Sequence, residues 1–170
     1  MDIGGFDLAM INVTLPDGTV NEYAAGITCA EVITDALGKK NGCLAALVDG
    51  QEKDMSHEIH QSCKVEGIKA ESDAGMYILR HSTAHLLAQA VTELYPDAKP
   101  TIGPAIDRGF YYDFAMEPIT EADLKPIQKK MQELARRNFT VERIELDDSE
   151  LREHFATNPY KLEIIDDKIG

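Results

Sequence analysis

Tryptophan is absent from these 170 residues and aromatics make up only 6% of them, so any core must be built from aliphatic side chains. No apolar run reaches the roughly 18 residues that a membrane-spanning helix needs. The opening Met-Asp-Ile-Gly-Gly-Phe-Asp lacks the basic patch and apolar stretch of a secretory signal. Cysteine is scarce: Cys29, Cys43 and Cys63 are odd in number and spaced like neither a disulfide framework nor a zinc knuckle, which predicts reduced thiols in a cytoplasmic protein. Basic residues are outnumbered, 17 Lys and Arg against 30 Asp and Glu, for a net charge of −13. Neither half of the chain is basic, so strong autonomous binding to nucleic acid is excluded, and any RNA contact must be local or supported by other parts. A Gly-x4-Gly-Lys-Ser/Thr phosphate loop is also missing, which argues against a nucleotide hydrolase of that class. What is present suffices for folding: 44% hydrophobic residues can form one large core or two small ones.

The first seventy residues predict a small sheet and one helix. In Met10-Ile-Asn-Val-Thr-Leu15 the alternation puts Ile11, Val13 and Leu15 on one face of a strand. Pro16-Asp17-Gly18 is a turn, and Val20 and Tyr23 mark the return strand of a hairpin. Thr28-Cys-Ala-Glu31 has the form of a capping box, opening a helix through Val32, Ile33, Ala36 and Leu37 that Gly38 ends. Cys29, on that helix, is expected to pack rather than react. Leu44–Val48 is an apolar strand closed by Asp49-Gly50, and Val65 and Ile68 belong to a last strand. Hairpin, helix, strand, turn and late strand is the β-grasp order. Lys69-Ala-Glu-Ser-Asp-Ala-Gly75, small and polar, is read as a linker or a helix lead-in, and the boundary between a domain at 1–70 and a second at 71–170 is placed there.

From Gly75 to Tyr95 the residues Leu79, Leu86, Leu87, Ala90, Val91 and Leu94 recur with helical spacing, with Ser72 or Asp73 as cap and Pro96-Asp97 as stop. His81 and His85, four apart, share one face with Gln89 and Thr92, away from the centre of the apolar stripe. On these residues alone two readings stand. Paired imidazoles can face a pocket and hold a metal, a water or a substrate; equally, they can sit on a solvated face. A zinc site needs a third and usually a fourth ligand, and His57, His60 and His154 supply no companion motif.

Further along, Thr120 can cap a helix through Leu124, Ile127, Met131 and Leu134, whose basic residues Lys129, Lys130, Arg136 and Arg137 lie toward the favourable C-terminal end. Pro126 is expected to bend or delay its first turns. Phe139–Leu146 alternates as a strand, and Asp147, Asp148 and Glu150 lead into a short helix near Leu151–Phe155. Gly103-Pro104 and Gly109 read as turn residues rather than contacts. Tyr111 and Tyr112 read as alternating across a strand, and the acidic stretch from Asp147 as a solvated face.

Two resemblances sharpen this picture. Ile11 to Ile68 resembles the TGS domain, a ubiquitin-like module of threonyl-tRNA synthetases, some GTPases and stringent-response enzymes. Arg80-His-Ser-Thr-Ala-His85, Ile102-Gly-Pro104 and Gly109-Phe-Tyr-Tyr-Asp-Phe114 resemble, in order and spacing, the editing domain of the bacterial threonyl-tRNA synthetase family. The resemblance implies an α+β chain: a β-grasp TGS domain at 1–70 and, at 71–170, a part of an editing domain that is C-terminally incomplete. It implies a pocket lined by His81, His85, Tyr112 and Lys161, the last from Pro159-Tyr-Lys-Leu-Glu-Ile-Ile165. His81 and His85 would belong to a four-residue cluster completed by a Cys/His motif beyond Gly170. The chain itself then requires no cofactor, with zinc conceivable at the incomplete His81–His85 site; ATP and a second zinc belong to the family's catalytic core, outside this chain.

The implied partners are the threonine tRNA and its mischarged seryl form, with no membrane, and with a monomer expected although the family's enzymes are homodimers. Serine lacks one methyl group of threonine, a difference worth only about 1–3 kcal/mol in a binding site, so a second, hydrolytic sieve is needed. The competing expectations are a freestanding TGS binding module, indifferent to His81 and His85, and a trans-editing deacylase of the alanyl type, which shares the His-x3-His helix.

Overall fold

The computed structural model describes residues 9–169, which fall into two compact units, one ending at Leu79 and the other beginning at Arg80. The first unit starts with β1 (Met10–Thr14) and β2 (Val20–Ala24), an antiparallel pair in the register Ile11↔Tyr23 and Val13↔Asn21. Ile11 and Val13 are buried while Asn12 faces out, so the period-two pattern sets which face meets the core. In the turn between the strands the Gly18 N–H donates to the Leu15 carbonyl at 2.9 Å, with Gly18 at φ +86°, a region closed to most side chains.

Short β3 (Ile27–Thr28) leads straight into α1 (Cys29–Leu37). The Glu31 N–H donates to Thr28 Oγ1 at 3.2 Å, and the Thr28 N–H donates to Glu31 Oε2 at 2.9 Å, the reciprocal pair foreseen from the sequence. At the other end the Gly38 N–H donates to the Thr34 carbonyl. Three further strands, β4 (Cys43–Val48), β5 (Gln51–Lys53) and β7 (Cys63–Lys69), complete a sheet of order β2-β1-β7-β4-β5, while β6 (Glu58–Ile59) pairs with β3. β1 and β7 are parallel, and every other pairing is antiparallel. Asp49 and Gly50 join β4 to β5 with two positive φ angles, as the tight hairpin turn requires. Val32 and Ile33 of α1 pack with Ile11, Val13, Ala46, Ile59 and Val65 into one aliphatic core, and Cys29 is fully buried in it. This is the β-grasp fold expected for the first part of the chain, and the three cysteines are free thiols.

Residues 69–75 form the lead-in to a helix, one of the two readings of this stretch. The Ser72 hydroxyl donates to the Lys69 carbonyl at 2.7 Å and accepts from the Gly75 N–H at 3.1 Å, capping α2 (Asp73–Leu94). Gly75 is indispensable there, because a Cβ would stand 1.9 Å from the Lys69 carbonyl oxygen. α2 passes from the first unit into the second. Besides Gly75, its buried residues are Ala84, Ala88, Ala90 and Val91, whereas Leu79, expected on the packed stripe, is exposed.

In the second unit a long hairpin follows α2. β8 (Lys99–Pro100) pairs with β11 (Phe114–Ala115), and between them β9 (Ala105–Ile106) pairs with β10 (Gly109–Phe110). α3 (Glu121–Arg137) lies against α2 through a core of Val91, Ala98 and Ile127 with Leu87, Leu94, Phe114 and Met131. Asp123 joins the two helices: its carboxylate accepts from the Thr120 N–H and hydroxyl, capping α3, and from the Tyr95 hydroxyl of the segment after α2 at 2.8 Å. Lys130 and Arg137 pair with Glu93 at 3.5 and 3.8 Å, and Glu133 of α3 pairs with both of them. Leu124, expected inside, is 55% exposed, and Pro126 sits within α3 without delaying its start at Glu121.

The expected strand at 139–146 does not form: the segment has no partner strand among the described residues, and Val141 is 87% exposed. Alternation supplies a strand's side-chain pattern but not the ladder of hydrogen bonds that makes one. Two short helices close the unit, α4 (Asp148–His154) and α5 (Pro159–Ile169). The acids around α4 do local work, Asp147 capping it and Asp148 and Asp166 gripping Arg152 from α4 and α5.

Candidate hydrolytic site on helix α2 and its hairpin

On α2, His81 and His85 lie one turn apart with their Nε2 atoms 3.0 Å from each other and their rings edge-to-face at 85°. At that distance one Nε2 carries the proton and the other accepts it, so in the neutral pair the two rings hold opposite tautomers. Three residues on from each stand Ala84 and Ala88, which are buried. Both histidines are themselves exposed, on the flank of that packed seam.

Electrostatics follow from that position. The His85 imidazolium is disfavoured, first because burial strips part of its water and then because His81 and the Lys161 ammonium lie within electrostatic reach. Lys161, in the first turn of α5, is half-buried, and the same loss of water lowers its pKa. The fold thus brings Lys161 of α5 within electrostatic reach of His85 on α2, 76 positions earlier in the chain.

Tyr112, the fourth, is held elsewhere on the hairpin. Its ring stacks on Phe114 with centroids 4.9 Å apart and lines a cleft of about 520 Å³ with Leu87, Val91, Met116, Ile119 and Leu124. Burial raises its phenol pKa. Its neighbour Tyr111 is exposed, but neither tyrosine lies in the expected strand, since β10 ends at Phe110 and β11 begins at Phe114. The α2 residues of that cleft are Leu87 and Val91, and neither imidazole lines it.

Three residues to which the sequence assigned no role in the site, Asn158, Arg80 and Gly103, tie the parts together. Asn158, capping α5, accepts at Oδ1 from the Lys161 N–H at 3.3 Å and donates from Nδ2 to the Pro100 carbonyl at 2.9 Å, so one side chain fixes the Lys161 helix to the hairpin. Arg80, beside His81, donates to the Ile106 carbonyl of the same hairpin at 3.4 Å. Gly103 is a contact and not merely a turn: a Cβ there would lie 2.0 Å from Tyr112 Cδ2. Asn158 was within reach of sequence reasoning, since Asn before Pro is a helix-start signal. The partners Pro100, Ile106 and Tyr112 are distant pairings and left no local signal.

No group of three or more His, Cys, Asp and Glu side chains able to hold a metal ion occurs among the described residues. The two imidazoles supply at most two of a tetrahedral ion's four ligands, and each engages the other. The described residues do not complete a zinc site. No helix among them is long and apolar enough to cross a membrane.

Comparison with known proteins agrees with this anatomy. Residues 11–69 match the TGS domain family. The threonine–tRNA ligase of Alkalilimnicola ehrlichii is 46% identical over 160 residues, 91% of this chain and 25% of that protein. That of Francisella tularensis subsp. tularensis is 45% identical over 163 residues, 92% of this chain and again 25% of the relative. The chain spans about a quarter of the length of these relatives. It carries a TGS domain and, through nine-tenths of its length, is similar to the N-terminal region of threonine–tRNA ligases.

Proposed function

We propose that this chain hydrolyses, or contributes the first part of the site that hydrolyses, serine wrongly esterified to the threonine tRNA, with the TGS unit assisting contact with the tRNA. Joining threonine to its tRNA is assigned to other parts of the ligases it resembles. The observation that carries the reading is the convergence of His81, His85 and Lys161: two imidazoles in hydrogen-bond contact beside a half-buried ammonium.

Ester hydrolysis needs a positioned water, a base for its proton and a donor for the oxygen that leaves. A water entering between the two rings meets one acceptor and one donor, the pairing now satisfied between His81 and His85. The acceptor ring takes the water's proton as its oxygen bonds to the ester carbonyl carbon. The carbonyl oxygen gains negative charge, which the Lys161 ammonium stabilises. When the carbon–oxygen ester bond breaks, the ribose oxygen takes a proton from the imidazolium, leaving free serine and intact tRNA. Lowering the pKa of His85 keeps it neutral and able to accept at pH 7. Tyr112 supplies a hydroxyl for hydrogen bonding to the amino acid or the terminal nucleoside.

In the test, the purified chain is given seryl-tRNA alongside His81→Ala, His85→Ala and Lys161→Ala variants. Loss of hydrolysis by the order of 100-fold or more in the histidine variants supports the assignment. Hydrolysis unchanged in both of them refutes it.

A further inference from the structure

We propose that Gly103 is a positioning residue: by lacking a side chain it seats the Tyr112 ring on its own backbone, and so fixes where the Tyr112 hydroxyl meets the substrate. The inference rests on the reading of Tyr112 as a substrate contact.

The geometry comes from an irregularity in the hairpin. The β8–β11 ladder aligns Pro100 with Phe114. One step further, the Thr101 N–H donates to the Asp113 carbonyl at 3.0 Å, but the Asp113 N–H donates to the Ile102 carbonyl at 2.8 Å. Two residues, Thr101 and Ile102, thus oppose one, which is a β-bulge, a device that bends a strand and re-aims the side chains beside it. The bulge turns the backbone of Gly103 toward the Tyr112 ring. A Cβ built on Gly103 would lie 2.0, 2.4 and 2.6 Å from Cδ2, Cε2 and Cγ of that ring, too close for any other residue unless the ring leaves. Gly103 has no positive φ, so its requirement here is space and not backbone conformation.

The ring also stacks on Phe114 at an interplanar angle of 27°. Held by both the Gly103 backbone and the Phe114 ring, the Tyr112 ring keeps one plane, and a tyrosine is rigid along the line from Cβ to the hydroxyl oxygen. No buried side-chain polar atom lacks a partner among the described residues, so the hydroxyl, which bonds to none of them, is solvent-accessible. A clamped ring with an accessible, uncommitted hydroxyl is suited to positioning: the orientation is set before the substrate arrives, and the donor is left for it.

The experiment compares wild type with Gly103→Ala, Tyr112→Ala and Gly103→Ala/Tyr112→Ala. Because the chain lacks tryptophan, tyrosine ionisation is readable by ultraviolet absorbance, and Tyr112→Ala identifies its contribution by difference. In wild type Tyr112 titrates above the ordinary value; in Gly103→Ala it is expected to fall back toward it as the ring is driven into solvent. An unchanged Tyr112 titration and an unchanged near-ultraviolet dichroism in Gly103→Ala overturn the proposal. If Gly103→Ala fails to fold, the double variant, which removes the clash, is expected to fold; a double variant equally unfolded overturns it as well.

Seryl-tRNA hydrolysis adds a readout that a merely structural role would not move. Gly103→Ala is expected to lower kcat on the order of 100-fold, to match Tyr112→Ala, and to add nothing in the double variant. Hydrolysis lost in Tyr112→Ala but kept in Gly103→Ala refutes the positioning role alone. Hydrolysis kept in Tyr112→Ala refutes the underlying reading of Tyr112, and the proposal with it.

Discussion

Asn158 offers the sharpest test of how the second unit is held. Its side chain makes two bonds, accepting from the Lys161 N–H at 3.3 Å and donating to the Pro100 carbonyl at 2.9 Å. Asn158→Ala removes both. The capping bond is long, which places its loss near the low end for a cap, about 0.5–1 kcal/mol. Leaving the half-buried Pro100 carbonyl without its donor costs about 1–2 kcal/mol more. Together these come to about 2 kcal/mol, or roughly 10 °C in Tm for a unit of this size. Asn158→Ser keeps a short acceptor for the cap but cannot reach Pro100, so it should recover about a third of the loss. Thermal unfolding of the whole chain followed by far-ultraviolet dichroism reads the effect, because helices α2 to α5 supply most of the helical signal. Amide hydrogen exchange in α5 localises it. Both variants melting within 1 °C of wild type would refute the reasoning, since α5 would then be held by something other than this bridge.

Two further perturbations test the charge and packing arguments. His85 is harder to protonate in the folded chain than in the unfolded one, where it titrates near the ordinary 6.5. Above that pH both states are neutral and nothing is lost; as pH falls through it the unfolded chain binds the proton first, so stability should decline on going from about pH 7.5 to 5.5 and level off below the folded-state pKa. Urea midpoints across that range should show the decline in wild type and a smaller one in His85→Gln; equal slopes would contradict it. In the first unit, a Cβ on Gly67 would stand 2.5 Å from Cys43 Sγ. Gly67→Ala should cost about 1–2 kcal/mol by overpacking, and Cys43→Ala in the same chain should restore most of it. No recovery would mean the strain lies in the backbone instead.

Much of this could be read from local signals. The hairpin at Ile11–Tyr23, the capping box at Thr28–Glu31 and the turn at Asp49-Gly50 are written in a few adjacent residues, and each formed as read. The histidine pair was legible for the same reason, because a spacing of four places two side chains together on any helix. The remainder depended on partners far along the chain. The two-residue strands β3, β6 and β8 to β11 are too short to carry a period, and β3, β6, β8 and β11 exist because a segment well removed in the chain supplies their hydrogen bonds. At 139–146 the error ran the other way, with a strand's alternation and no partner strand among the described residues. Leu79 and Leu124 fit a helical stripe yet are exposed, because the wheel shows which residues share a face but not how far a neighbour covers it. Gly103 was read as a turn because a lone glycine offers no sign of the ring that occupies its missing side chain.

The central claim is that these residues remove serine in preference to threonine, and the measurement that reaches it most directly is the ratio of their deacylation rates. Seryl-tRNA and threonyl-tRNA, each prepared with the same threonine tRNA, are mixed with the purified chain under single-turnover conditions, with His81→Ala in parallel. The account predicts seryl-tRNA cleaved faster by at least the order of 10-fold, the least that one methyl group can supply, and both rates falling to the uncatalysed level in His81→Ala. Equal rates on the two esters, or a serine preference that survives His81→Ala, would contradict it.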